Sequence, residues 1–212
     1  MAPRGTTRAR RESGTDRREE LLGIAAELFA TKGYAQTTVR DIAEAAGMLS
    51  GSLYHHFASK EAMLVEVLRD FMEGLLRRFT DIVDAGGPPS TVLEQLIRSS
   101  FQTIHEQPHA VALYQNETSL FTHQPEFAFV LRTGERINKL WLQVFAAGSE
   151  SGEFRAGLDH SVSYRFARDS IWSTVEWYRP RGRLRHDKLA EQFIDLFYGG
   201  LLAERGESGR FV

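Results

Sequence analysis

Apolar residues recur at three- and four-residue spacing along almost the whole chain. Nowhere do they alternate with period two for long enough to build a sheet. This periodicity predicts an all-α fold of about nine helices. In "REELLGIAAELFATKG" the apolar positions Leu21, Leu22, Ala25, Leu28 and Phe29 mark a first helix that Gly33 stops. "TTVRDIAEAAG" reads as a second, with Thr37 or Thr38 as N-cap, Asp41 in the first turn and Gly47 at its end. "SGSLYHHF" reads as a short third helix, and Ser59 caps a long fourth over residues 60–84. "AGGPPS", residues 85–90, is the clearest break. Helices are expected beyond it at 91–106, 109–122, 125–148, 159–178 and 186–204.

The chain has 212 residues, 42% hydrophobic and 25% charged, an ordinary globular composition. It holds no cysteine, which removes disulfides, thiolate zinc sites and cysteine nucleophiles together. That fits a cytoplasmic protein, and no apolar run is long enough to span a membrane. Charge is unevenly spread. Residues 1–60 carry nine basic against seven acidic residues, and the remainder seventeen against twenty-one. Arg4, Arg8, Arg10 and Arg11 stand before the first acid, so the N-terminus is either a solvated tail or an arm that finds phosphates. No GxGxxG, P-loop or HExxH motif is present.

A long helix followed by helix, glycine turn and short helix is the helix-turn-helix plan, whose second helix enters the DNA major groove. Ser50, Gly51 and Ser52 at the front of the short helix permit close backbone approach, and Ser50 can meet a phosphate. Tyr54 and His55 can reach phosphates or base edges, and Lys60 a phosphate. His55 and His56 point about 100° apart and so do not chelate one metal; one faces DNA and the other packs. Leu53 and Phe57 are expected to close on Ile42, Ala45 and Leu28.

The segment "GYAQTTVRDIAEAAGMLSGSLYHHFASKEAMLVEVL" resembles the DNA-binding domain of the TetR family of one-component repressors. The resemblance implies DNA contacts at Thr38, Arg40, Ser50, Ser52, Tyr54, His55 and Lys60. Leu49 stands where many members carry Ser or Thr, so Ser50 takes over the phosphate or Leu49 meets a thymine methyl. The implied layout is a flexible basic arm (1–15), a helix-turn-helix DNA-binding domain (16–60), a connecting helix (61–84), a C-terminal helical ligand-binding and dimerisation domain (85–205) and a tail (206–212). One recognition helix reads only a few base pairs, so a homodimer on double-stranded operator DNA is expected. Its interface is expected on the last helices, through Leu189, Phe193, Leu196, Phe197 and Leu201.

An effector pocket is expected within residues 85–180. Arg168 and Trp172 share a helix face, and Arg165 is spaced to pair with Asp169. Arg168 then either meets an anionic, largely apolar ligand or pairs with Glu117 or Glu176. Tyr114, Gln115 and Glu117 add polar groups to an apolar wall. "LYQNE" and "FARDSIWSTVEWYRP", with the short-helix segment, are similar to the TetR-type repressors of steroid-ring catabolism in actinobacteria, which respond to an acyl-CoA thioester. That similarity implies ligand positions at Arg168 and Trp172. Glu176 departs from it, because those relatives tend to carry a basic residue there. A fatty acyl-CoA or another hydrophobic effector stays open. So do two alternatives: a metal-responsive regulator using His105, His109 and His123, and an enzyme carrying this DNA-binding fold. No cofactor, resident metal or nucleophile–base constellation is legible.

Overall fold

The computed structural model describes the backbone of residues 6–199 and the side chains of residues 16–199. Leu201, the side chains of the basic arm and the tail lie outside the described residues. Ten α-helices and two 3-10 turns make up the described elements: α1 (Thr6–Lys32), α2 (Val39–Ala45), α3 (Ser50–Leu53), α4 (Lys60–Ala85), α5 (Pro89–Glu106), α6 (Pro108–Asn116), α7 (Thr118–His123), η1 (Pro125–Phe127), α8 (Ala128–Glu150), α9 (His160–Trp172), η2 (Ser173–Glu176) and α10 (His186–Gly199). The all-α expectation holds. No described helix is long and apolar enough to cross a membrane.

Three helix limits differ from the periodicity. The helix expected over 109–122 is two, because the backbone turns at Glu117 (φ −101°, ψ 27°) before α7 begins. The helix expected from 125 opens with a 3-10 turn, whose Pro125 has no N–H to give a ladder. The helix expected over 159–178 leaves α-geometry at Trp172 and tightens into η2.

The chain forms two compact units. The first holds the chain to Glu73 together with His109–Leu131, and the second holds Gly74–Pro108 with the chain from Arg132 on. In the first, Leu21, Ala25, Phe29, Ile42, Ala43, Leu53 and Phe57 bury with Met63, Leu64 and Leu68 of α4. Ala45, expected in this core, is exposed; Ala43, two residues earlier on the opposite side of α2, is buried instead. Arg18 ion-pairs with Glu66 and lies 4.2 Å above the Phe57 ring, fastening α1 to α4. In the second unit α10 packs along α5, with Phe101 and Phe193 rings 5.7 Å apart. Trp141 of α8 bridges Phe79 at 5.8 Å and Tyr164 of α9 at 5.7 Å.

Candidate nucleic-acid interface and effector site

The α2–α3 segment is fixed by local chemistry. Thr38 is the N-cap of α2: its Oγ1 accepts the Asp41 N–H (3.1 Å), and Asp41 Oδ2 accepts the Thr38 N–H (2.7 Å). Lys32 adds a 2.6 Å ion pair to the same carboxylate. The Lys32 and Thr38 hydrogen bonds draw Asp41 down to a pKa of about 2. At the other end Gly47 takes φ +63°, and the Met48 N–H reaches back to the Ala43 carbonyl (2.9 Å), which closes the turn. The Arg17 guanidinium holds the Ala46 carbonyl (2.8 Å), an acceptor left over at that helix end.

These bonds leave a particular face outward. Leu49, the N-cap of α3, is 80% exposed, and Tyr54, its C-cap, is 56% exposed. His55 is exposed beside them, with Ser50 and Ser52 half-buried between. His56 is half-buried, its ring 6.5 Å from that of Phe57; both histidines follow α3 in a turn, so the helical offset expected between them does not apply. Arg40 is exposed on α2 and carries Glu44 at 2.8 Å. Lys60 is placed differently from a free phosphate ligand. Its ammonium donates to the carbonyls of Tyr34 (2.7 Å) and Thr37 (2.8 Å) and sits 4.3 Å over the Tyr34 ring. Two of its three N–H bonds thus hold the α1–α2 loop against α4.

The residues expected at an effector site fall into both units. In the first, Tyr114 is half-buried between Phe71 (5.8 Å) and Phe121 (stacked, 6.1 Å). Glu117 stands at the start of α7. Tyr34 is pushed above its ordinary pKa by burial, with the charges of Glu61 and Glu117 adding to the shift. In the second unit Trp172 is buried in the α9 core. Arg168 lies 5.7 Å from the centre of the Tyr164 ring. Asp169 bonds Arg168 (Nε to Oδ1, 2.7 Å), so the carboxylate expected to serve Arg165 goes to its neighbour instead. Glu176, at the end of η2, is exposed.

The second unit also has a cavity of about 340 Å³ that none of these residues lines. Its walls are Leu93, Phe145, Phe154, Leu158, Phe166 and Phe197; Ser90, Glu153, Arg155, Ser163 and Tyr198 are its polar members. Tyr198 donates to the Ser90 carbonyl (2.6 Å), and Ser90 donates twice to Glu153, from N (3.0 Å) and Oγ (2.6 Å). The available signal was the pair Phe154 and Leu158, two apolar side chains in an otherwise polar, Gly-rich loop.

The residues expected at a dimer interface separate by face. Leu189 is buried, and Phe193 and Phe197, both half-buried, stack on each other (5.5 Å) while Phe193 meets Phe101. Leu196 points outward. The histidines considered for metal do not share a helix face. α5 ends at Glu106 and α6 begins at Pro108, so the i, i+4 spacing of His105 and His109 spans two helices. His105 Nδ1 and the Tyr178 hydroxyl share a hydrogen bond (2.9 Å), and its ring stacks on His186. His123 Nδ1 lies 2.8 Å from Thr122 Oγ1 and from the Ser119 carbonyl. Among the described residues no group of three or more His, Cys, Asp or Glu could hold a metal ion.

Known proteins resemble this chain over both halves. Residues 21–67 match the family model "Bacterial regulatory proteins, tetR family", and residues 86–201 match "Tetracyclin repressor-like, C-terminal domain". The HTH-type transcriptional repressor KstR2 of Mycobacterium tuberculosis is 44% identical over 188 residues, covering 89% of this chain and 94% of the relative. The solved structure of ketosteroid transcriptional regulator KstR2 of Mycobacterium tuberculosis superposes with a TM-score of 0.85 at 44% identity, covering 89% of this chain and 96% of that one. AibR, crystallised with isovaleryl coenzyme A and operator DNA, shares the fold: TM-score 0.76 at 22% identity, covering 86% of this chain and 98% of that one. The outward α3 face and the family match over both halves of the chain lead to one conclusion: this protein belongs to the TetR family and is a transcriptional repressor of that family.

Proposed function

We propose that the protein represses as a homodimer, reads operator DNA through Thr38, Arg40, Leu49, Ser50, Ser52, Tyr54 and His55, and lets go when the C-terminal unit binds a largely apolar, anionic effector of the acyl-coenzyme A class. The observation that carries the reading is the α3 face. Leu49 and Tyr54 hold large apolar surface in water at the ends of a four-residue helix whose Leu53 is buried. A bound duplex would remove that cost, with Leu49 against a thymine methyl and Tyr54 against the backbone. Lys60 contributes by holding the α1–α2 loop.

Homodimerisation is supported by Phe166, 68% exposed, and by Val162 one turn earlier on the same face of α9, together with exposed Leu196 on α10. Those three are proposed as the centre of the interface, with the half-buried Phe193 and Phe197 beside them and Leu189 within the protomer. The effector class is supported by the resemblance of "LYQNE" and "FARDSIWSTVEWYRP" to acyl-CoA-responsive repressors, and by Arg168, a cation 5.7 Å from the centre of the Tyr164 ring. Glu176 is proposed to lie at the margin of the ligand; Tyr114 and Glu117, expected at the same site, belong to the first unit and are not part of this reading.

The test is binding to a fragment of the protein's own promoter, titrated with salt and then with acetyl-, octanoyl- and fused-ring acyl-coenzyme A. Two protomers per site, a steep loss of affinity between low and moderate salt, and release by at least one thioester are expected. Binding that is flat in salt sinks the groove-docking part. Failure of every thioester to release the DNA sinks the effector part.

A further inference from the structure

Helix α3 is four residues long and has no cap of its own. Leu49 stands at its N-cap position and offers no side-chain acceptor to the free N–H groups of the first turn. Buried Leu53 anchors the rear of α3 in the core of the first unit. The front, from Leu49 to Ser52, depends on the turn that delivers it. That turn is closed from within α2: the Gly47 N–H donates to the Glu44 carbonyl (3.1 Å), and the Met48 N–H to the Ala43 carbonyl (2.9 Å). These bonds shape the turn, but they tie it only to α2, a helix of seven residues.

Arg17 links the turn to α1. It stands 29 residues before Ala46, and its Nη2 donates to the Ala46 carbonyl (2.8 Å). The same nitrogen lies 3.9 Å from Met48 Sδ, on the far side of Gly47. The other terminal nitrogen, Nη1, ion-pairs with Glu20 one turn along α1. The fork is thus held by its own helix while it holds the turn. Two properties suit a guanidinium to this place. The Ala46 carbonyl is at the negative end of α2, where a cation is favoured. A planar fork also serves two acceptors in a fixed geometry, which an ammonium on a flexible stem does less well.

We infer that Arg17 is a positioning residue for operator recognition: it fixes the α2–α3 turn against α1 and so sets how α3 meets the groove. Its bond goes to the protein backbone and not to the duplex. This rests on the reading of α3 as the DNA-reading element and deepens it. Base readout needs side chains placed to a fraction of an ångström, whereas attraction to phosphates does not. Arg17 therefore serves the preference for operator over random DNA, not attraction to DNA as such.

The experiment uses the full-length protein with Arg17→Met, which keeps most of the stem and removes the fork, and Arg17→Lys, which keeps the charge. Affinity is measured for a fragment of the protein's own promoter and for a random duplex of equal length, across a salt series. Amide hydrogen exchange and the thermal midpoint are followed on the free protein. Arg17→Met is expected to bind the promoter about tenfold more weakly and the random duplex within about twofold of wild type, with the salt slope unchanged. Exchange should quicken at the Gly47, Met48 and Ser52 amides and stay as in wild type along α4. Arg17→Lys should fall between Arg17→Met and wild type, because its ammonium still reaches the carbonyl. Promoter and random duplex weakening together, with a salt slope shallower by about one, would overturn the assignment and make Arg17 a phosphate ligand. Faster exchange throughout the first unit with a lowered midpoint would also overturn it, leaving Arg17 a general support of the fold. Unchanged promoter affinity would show that the turn holds itself. If wild type does not prefer its promoter to random DNA, the reading of α3 has failed, and the assignment falls with it.

Discussion

The α2–α3 head and the α8–α10 end of the second unit solve the problem of presenting side chains in opposite ways. The head is positioned by bonds between residues close in sequence: Thr38 with Asp41, Lys32 with Asp41, and Gly47 closing its turn. The second region is positioned chiefly by rings from distant segments, Phe145 with Phe197, and Phe193 with Phe101. A capped turn holds its shape almost by itself, whereas a wall of rings holds only while every neighbour is in place. Damage to the head should therefore fall on DNA affinity, and damage to the second region on stability.

The largest effect is expected at Gly148. A Cβ there would sit 2.2 Å from the Phe154 ring, which lines the cavity and whose N–H bonds the Gly148 carbonyl (2.9 Å). Gly148→Ala should cost roughly 2–3 kcal/mol in urea unfolding, the scale of an overpacked core. Gly47→Ala, with open space around it but φ +63°, should cost only about 1–2 kcal/mol. Equal losses would erase the contrast between the two regions.

Tyr54→Ala comes next. It removes an outward side chain and no buried packing, so operator affinity should fall by about 1–3 kcal/mol with the unfolding midpoint unchanged. A drop in stability without a drop in affinity would mean that the α3 face is rotated from the description above.

The smallest effects concern the cap. Thr38→Ala should cost about 1 kcal/mol of stability. Asp41 gives a pH signature. Its folded pKa, about 2, lies below its ordinary 3.8, so its contribution is fully present above pH 3.8 and is lost as pH falls toward 2. Acid unfolding of Asp41→Asn should be flatter across that window; an unchanged acid limb would show that the Lys32 and Thr38 bonds do not hold in solution.

The same contrast governs what the sequence discloses. The head was legible nearly residue by residue, because N-caps, turn glycines and a four-residue apolar spacing are local signals. That one of His55 and His56 would face out and the other pack was legible, but not which, and both follow α3 in a turn where helical spacing no longer applies. Ala45 was misplaced because alanine fits either face. In the second unit periodicity found the helices but not which side of each faces inward. α10 is apolar over so broad an arc that Leu189, Phe193, Leu196 and Phe197 read as one surface. Phe193 meets Phe101 of α5, Phe197 meets Phe145 of α8 and Leu189 is buried, while Leu196 is exposed. The cavity at Phe154 depends on neighbours brought together by the fold, which no spacing rule registers. The break at Glu117 is of the same kind, since nothing in "LYQNETSL" is a strong helix breaker.

The central claim is that reading and sensing reside in different side chains of one chain, and it is tested most directly by Arg168→Ala. Operator binding and release should be measured by gel shift against the fused-ring acyl-coenzyme A, with wild type and Tyr54→Ala alongside. The account predicts that Arg168→Ala holds the operator as tightly as wild type but stays on the DNA at thioester concentrations that free wild type. Tyr54→Ala should bind the operator weakly yet bind the thioester as wild type does. An Arg168→Ala protein released as readily as wild type would contradict the account and leave Arg168 a structural residue that holds Asp169 and Tyr164.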